Sequence, residues 1–417
     1  MNIHSLNTRQ NESFTENKPM KKYLSALIFM VLLACTEADP VFDESQFACT
    51  SGIINTHPQS DRFQSFLEEK VMEGLPGISM LIETPEGIWT GGAGVADIPN
   101  DIVMGACSLH KVGSITKLFT ASLILQLHEQ GGLDLDDLVS LYLDPIIVAK
   151  VDNAQRATIR QLLNHSSGIT DYLSQLDYTL LNYYDNPTKV WSTIEELGFI
   201  FDEEADFAPG VRVEYSNSNY LLLGIIAEKV TGKTGEQLYQ ELIYSPLGLQ
   251  NTFFFQNGDQ PNNLVRGYYD ESGTGNFIDI TPWRRFSNSM VGGISSTVED
   301  LHAFLQASFT PGVFYSQETI NEMLNLSDIS FGEEDYDFGS VNKVNKVNGI
   351  ALSWFQLDTD YGIAYGHNGG FNGRRARMWY FPDAQKTIIL MYNASGESID
   401  PIEDELFKNE MVELLFE

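Results

Sequence analysis

Hydrophobic periodicity changes twice along the chain, and those two changes limit the folds open to it. From Asp61 to Met72 the residues Phe63, Phe66, Leu67 and Val71 recur at helical spacing, and Ile78–Ile82 followed by Gly87–Gly92 reads as a hairpin. A helical middle follows. Ser114 to Gln130 carries Leu118, Ala121, Leu125 and Leu127 at helical spacing and stops at Gly131-Gly132. Ile159–Leu163, Tyr220–Val230 and Glu236–Ile243 also read as helices, and Ser296 with Glu299 forms a capping-box pattern before Leu301–Leu305. The period then shortens again: Ile350–Leu357, Ile363–Tyr365, Arg377–Phe381 and Thr387–Tyr392 read as strands, and Pro401–Phe416 as a terminal amphipathic helix. Ser340–Asn348 reads as a loop or hairpin. Strands at both ends with helices between them predict an α+β fold, in which one antiparallel sheet is flanked by the N- and C-terminal helices and joined by a mainly helical lobe. The predicted lobes are about 57–110 with 290–417, and about 111–289, with a cleft between them as the expected place for a site.

The 417 residues, 43% of them hydrophobic, suffice for a full core, which excludes a disordered or fibrous protein. A net charge of −32 repels phosphate backbones, so no nucleic-acid partner is expected. Near the N-terminus, Met20-Lys21-Lys22, the apolar run Tyr23–Leu33 and Ala34-Cys35 follow the order of a secretory signal, and the run is too short for the ~20 residues of a membrane-spanning helix. Leu32-Leu33-Ala34-Cys35 resembles a bacterial lipobox, which makes Cys35 the expected lipid anchor, the alternative being an ordinary signal with an incidental cysteine. The expected layout is a leader over 1–35 whose true start is Met20, a polar linker over 36–56 and a single domain over 57–417. The expected location is the bacterial envelope, periplasmic or at the outer membrane, since Thr36 is not the aspartate linked to inner-membrane retention. Cys49 and Cys107 remain as an even pair outside the cytoplasm, either bridged or as free thiols.

Three short elements carry chemistry. Ser114-Ile115-Thr116-Lys117 puts a hydroxyl and an amine three residues apart, neighbours on a helix face. A lysine whose pKa is lowered by desolvation can take the serine's proton, and a helix N-terminus offers N–H groups to a developing negative charge. The bland alternative is a helix cap and a solvated lysine, and Ser340-Val341-Asn342-Lys343 repeats the same spacing. Tyr215-Ser216-Asn217 stands before the apolar helix Tyr220–Val230, either as a core tyrosine or as a phenol sharing the serine's proton while Asn217 orients a substrate carbonyl. Tyr184-Asp185-Asn186 is a second pattern of that kind. His367-Asn368-Gly369-Gly370 follows the strand Ile363–Tyr365, where the glycines let a substrate backbone approach and the histidine either is structural or polarises the Tyr215–Lys117 network.

In this order, S-x-x-K, Y-x-N and H-x-G, the chain resembles the serine β-lactamase and penicillin-binding superfamily. Lys111–Thr120, Arg160–Ile169, Pro209–Tyr220, Gly292–Leu305 and Gly366–Gly373 extend the resemblance to the branch of class C β-lactamases, D-alanyl-D-alanine carboxypeptidases and esterases, over about Gly77 to Tyr392. The resemblance implies acylation of Ser114, proton handling by Lys117 and Tyr215, substrate contact by Asn217, His367, Asn368, Gly369 and Gly370, and an oxyanion hole from the N–H groups of Ser114 and Gly370. Histidine stands where class C β-lactamases carry the lysine of K-T-G, which moves the expectation from β-lactam hydrolysis toward a D-Ala-D-Ala carboxypeptidase or D-peptidase. An esterase using the same residues, or a non-catalytic binder of muropeptides, are the alternatives. Arg374, Arg375 and Arg377 form the densest basic cluster; Arg374 is taken as the candidate for a substrate carboxylate, against a solvated strand surface. The expected partner is a small peptide or ester substrate. No cofactor is expected and no metal, the seven histidines being scattered without an H-E-x-x-H pattern.

Overall fold

The computed structural model describes residues 51–417 apart from 285–287, 327–328, 330–344, 372 and 407–409. The leader, Cys35, Cys49 and the second S-x-x-K pattern at Ser340 lie outside the described residues. Cys107 is disulfide-bonded.

In chain order, α1 (Ser60–Glu73) is followed by β1 (Gly77–Thr84), β2 (Gly87–Asp97), β3 (Ile102–Val103) and β4 (His110–Lys111). A 3-10 turn, Gly113–Ile115, leads into α2 (Thr116–Glu129). The middle holds α3 (Pro145–Lys150), α4 (Ile159–Leu163), α5 (Leu176–Leu180), α6 (Thr193–Leu197), α7 (Asn217–Thr231), α8 (Gly235–Tyr239) and α9 (Ser245–Leu247). Short strands β5 (Tyr268–Asp270), β6 (Ile278–Asp279) and β7 (Ser295–Ser296) precede α10 (Val298–Phe309) and α11 (Gln317–Leu324). The chain ends with β8 (Asn345–Ile350), β9 (Phe355–Thr359), β10 (Gly362–Phe371), β11 (Arg374–Phe381), β12 (Lys386–Tyr392), β13 (Ala394–Gly396), α12 (Asp400–Glu405) and α13 (Met411–Phe416).

The two ends meet in one eight-stranded sheet of order β3-β2-β1-β12-β11-β10-β9-β8. The closing contact is antiparallel β1 against β12, with Ile78 opposite Tyr392 and Leu81 opposite Ile389. Because side chains alternate along a strand, the sheet serves two cores. Ile388, Leu390 and Trp379 pack with Phe63 and Leu67 of α1 and with Leu414 and Leu415 of α13. Ile389, Met391, Ala376 and Met378 face the helical lobe, where α2 and α7 lie. This is the α+β architecture expected from the periodicity.

Three local expectations change. Ile350–Leu357 is not one strand: Ile350 ends β8 and Phe355 opens β9 opposite it, with Ala351 N–H donating to the Trp354 carbonyl at 2.8 Å. The turn is as apolar as a strand because Leu352 and Trp354 plug into the helical lobe. The cap of α10 is Thr297, whose Oγ1 accepts from Asp300 N–H at 3.2 Å, one residue beyond the predicted Ser296. Ser296 instead lies in β7 and bonds Thr252, while the Glu299 carboxylate accepts from Ser51 and from Gly52 N–H. His367–Gly370 does not follow a strand but lies inside β10. The terminal stretch expected over Pro401–Phe416 is helical wherever it is described, as α12 and α13 on either side of residues 407–409, which lie outside the described residues. Asn345–Asn348 of the biased stretch belongs to β8.

Strand alternation also sorts the arginine cluster. Arg375 and Arg377 share the face of Trp379 and both bond Glu403 of α12, Arg375 Nε at 2.9 Å from its carboxylate, so they look away from the helical lobe. Neither is a solvated strand surface nor a ligand at the cleft. Glu403 therefore bridges two cations in a largely buried interface. Replacing it by glutamine removes the carboxylate that both guanidinium groups bond, and the expected cost is about 3 kcal/mol, measurable as a fall in the urea midpoint at an unchanged m-value.

Candidate active site

The site is built where the 3-10 turn before α2 rests on β10. In this turn Gly113 takes φ +53°, a left-handed conformation that suits glycine. A Cβ on Gly113 would stand 2.9 Å from Gly370 N, and one on Gly369 would stand 1.8 Å from the Val112 carbonyl oxygen. Both glycines are thus required by backbone-to-backbone contact, and the turn carries Ser114 against the strand. Val112 N–H donates to the Ile294 carbonyl at 3.0 Å and Ile294 N–H to Thr116 Oγ1 at 3.1 Å, so the segment entering β7 clamps the turn from the other side.

Lys117 follows one turn later. Its Nζ donates to Ser114 Oγ at 3.1 Å and to the Val291 carbonyl at 3.0 Å, and the side chain is fully buried. Burial, only partly offset by the Asp171 carboxylate, pushes this amine down to about 7. The ammonium position also faces the rings of Tyr215, 5.0 Å away, and Tyr220, 5.5 Å away. A solvated lysine beside a helix cap is excluded by this burial, and Ser114 caps nothing with its side chain.

Tyr215 arrives from the segment before α7, stacked on His165 with ring centroids 4.2 Å apart and 6.1 Å from the ring of His367. The second tyrosine pattern, Tyr184-Asp185-Asn186, ends a π turn at Leu181–Asp185, away from a helix entrance. His367 points to the helical lobe and is buried; its Nδ1 lies 2.6 Å from the Asn368 carbonyl, so this nitrogen carries the proton. Burial first and Lys117 second depress the imidazole to about 3, so it is neutral. β9 pairs with β10 only as far as Gly366, which leaves the edge from His367 onward without a strand partner on that side among the described residues.

Two expected substrate contacts change. Asn368 is one residue out of phase with His367, and its Oδ1 accepts from Trp379 Nε1 at 3.0 Å on the face away from the helical lobe. Its side chain therefore cannot line the cleft. Arg374 is on the helical-lobe face, but its guanidinium is buried, packed on Gly267, and donates to the Val265 carbonyl at 3.0 Å. Burial lowers it to about 10. Asn217 does stand at the site, with Nδ2 donating to Asp171 Oδ2 at 2.9 Å.

Sequence reasoning missed His165 and Asp171. His165 follows α4 at φ +60° and is fully buried; its Nδ1 accepts from Ser216 N–H at 3.0 Å, which fixes the residue between the two motif positions Tyr215 and Asn217. Burial, then Lys117 and His367, push it well below the usual imidazole range. The available signal was the polar run Asn164-His165-Ser166-Ser167 directly after a helix, all four residues being buried. Among the described residues no cluster of metal-ligating side chains occurs.

A half-buried serine beside a fully buried lysine, on a turn held against a glycine strand, is an arrangement for acyl transfer, and comparison with known proteins agrees. Residues 63–408 match the family Beta-lactamase. The chain belongs to the β-lactamase family of serine hydrolases. Protein flp of Staphylococcus aureus is 24% identical over 353 residues, which cover 84% of this chain and 66% of flp, just under two thirds of that relative's length. A D-stereospecific amidohydrolase from a Streptomyces species superposes with a TM-score of 0.71 at 26% identity, covering 84% of this chain and 99% of its own. D-amino acid amidase from Ochrobactrum anthropi, complexed with L-phenylalanine amide, gives a TM-score of 0.69 at 25% identity over 85% and 99%.

The contact between turn and strand makes Gly369→Ala a test of the site's construction. The added methyl must displace the Val112 carbonyl and with it Ser114, so Ser114-dependent turnover should fall by roughly 10²-fold in a protein whose far-ultraviolet circular dichroism is unchanged.

Proposed function

We propose that this chain is an acyl-serine hydrolase of D-amino-acid amides or D-peptides, with Ser114 as nucleophile. The observation that carries the reading is the buried Lys117 amine 3.1 Å from Ser114 Oγ and depressed to about 7, a base poised at working pH. The likeness to D-stereospecific amidohydrolase and D-amino acid amidase supports the substrate class.

In the proposed reaction neutral Lys117 accepts the Ser114 proton as Oγ attacks the substrate carbonyl carbon. The oxyanion is received by the N–H groups of Ser114 and Gly370. Tyr215, next to Lys117, gives its phenolic proton to the leaving nitrogen as the bond from that nitrogen to the carbonyl carbon breaks, and recovers a proton from the Lys117 ammonium, which returns the amine to its neutral form. Water then attacks the acyl-serine, releasing the acid and returning the proton to the Ser114 oxygen. His367, neutral and buried beside Tyr215, holds the phenol's surroundings without adding charge.

Specificity for a free terminal carboxylate, the mark of a carboxypeptidase, draws less support. Arg375 and Arg377 serve Glu403, and Arg374 is buried against Val265. A neutral histidine in place of lysine likewise brings no fixed cation for the carboxylate of a β-lactam. These observations favour amides and peptides whose leaving group is uncharged.

Turnover of D-aminoacyl p-nitroanilides, compared with their L-enantiomers, with D-Ala-D-Ala peptides and with short acyl esters, tests the assignment. Ser114→Ala should lose at least roughly 10³-fold of the D-anilide activity; retention of activity removes Ser114 as nucleophile, and ester cleavage alone moves the enzyme to the esterases. Because the active form of Lys117 is the unprotonated one, kcat/KM should rise with pH through a midpoint near 7, and a pH-rate profile flat from pH 5.5 to 8.5 would count against the lysine as base.

A further inference from the structure

Asp171, in the segment between α4 and α5, belongs to none of the three motifs, yet its carboxylate touches the last of the Tyr215–Asn217 positions twice. Oδ1 accepts from the backbone N–H of Asn217 at 3.2 Å and from Leu173 N–H at 3.1 Å; Oδ2 accepts from Asn217 Nδ2 at 2.9 Å. A carboxylate can only accept, so this bond settles the Asn217 amide: nitrogen toward Asp171, carbonyl oxygen away from it. The same contact fastens the first residue of α7 to the segment that carries Tyr172, whose own N–H donates to Ser218 Oγ at 3.0 Å.

The charge of Asp171 reaches further than its hydrogen bonds. The groups facing the Lys117 amine are His165 after α4, Tyr215 before α7 and Tyr220 in its first turn, His367 on β10, Ser114 on its own turn, and the Val291 carbonyl from a segment, Ser289–Ile294, without titratable side chains. Both histidines are neutral because burial and Lys117 itself depress them. Asp171 is thus the carboxylate acting on Lys117, and it acts to keep the amine protonated, against the larger effect of burial. Burial in turn pushes Asp171 up, opposed by its bonds from Asn217 and Leu173 and by Lys117.

We propose that Asp171 is a positioning residue of the acylation site: it fixes the orientation of Asn217 at the entrance of α7 and holds a buried carboxylate in the surroundings of the Ser114–Lys117 pair. The proposal rests on the reading of Ser114 and Lys117 given above. Its role is exerted through Asn217 and Lys117 and needs no contact with substrate. Without this carboxylate the buried amine would lose its proton at a lower pH, and Asn217 would be free to turn either end of its amide to the cleft.

Asp171→Asn keeps the size and one acceptor while removing the charge; Asp171→Ala removes both. The Lys117 titration, followed by NMR of the full protein carrying 13Cε-labelled lysine and assigned with Lys117→Arg, reads the field without reference to turnover. The midpoint should fall by about one unit in Asp171→Asn, and the acid limb of kcat/KM should follow it down. An unmoved midpoint in a folded Asp171→Asn protein overturns the proposal, even if activity drops. For positioning, Asp171→Ala should lose about tenfold in kcat/KM in the wild-type background and no more than twofold when Asn217 is already alanine. Full additivity of the two substitutions overturns that half. Should turnover prove independent of Ser114, the functional reading fails while the lysine titration still decides the role of Asp171.

Discussion

Everything at the site depends on how closely one turn can approach one strand. The Val112 carbonyl occupies the space where a side chain at position 369 would begin, and a side chain on Gly113 would meet the Gly370 backbone at 2.9 Å. That approach fixes the height of Ser114 above β10, and with it the relation of the hydroxyl to the strand edge from His367 onward, which has no strand partner on that side among the described residues. Close-packed interiors transmit such displacements rather than absorb them. The motif glycines are therefore better understood as a steric requirement of assembly than as flexible points for a substrate.

Burial converts the assembled residues into chemistry. Lys117 is one of several titratable side chains carried into a dry interior, and each answers according to its partners. Lys117, with a hydroxyl, a carbonyl and one carboxylate in reach, is left near neutrality. His165 and His367, each committed through Nδ1 to a backbone group, are held neutral. Glu403, facing two guanidinium groups, stays charged and ties α12 to β11. The same low-dielectric environment thus yields an amine that titrates near 7, two uncharged rings and a structural ion bridge, depending on which polar groups the fold supplies.

The fold was legible wherever one face of an element is dry and the other is not. α1 and the strands of both chain ends show their period in the sequence, and their pairing into one sheet followed from packing alone. Where an apolar segment is not an element, the pattern misleads. Leu352 and Trp354 fill the helical lobe from a turn, and hydrophobicity alone could not distinguish that turn from strand. Helix entrances were uncertain by one residue because Ser296 and Thr297 are both good caps, and only the pairing of β7 assigns Ser296 to a strand.

By itself, the sequence determined the fold class and the family resemblance and nominated Ser114, Lys117, Tyr215 and His367 as candidates, since those depend on residue type and order. Only the tertiary structure decided which neighbours complete them. Asn368 turns away from the cleft and two arginines of a dense basic cluster turn with it, because adjacent strand residues point to opposite faces and the phase is set by pairing with β11 and β12. His165 and Asp171 come from a segment some fifty residues past the nucleophile with no spacing rule to connect them. They meet Tyr215 and Asn217 through chain folding, which composition and periodicity do not encode.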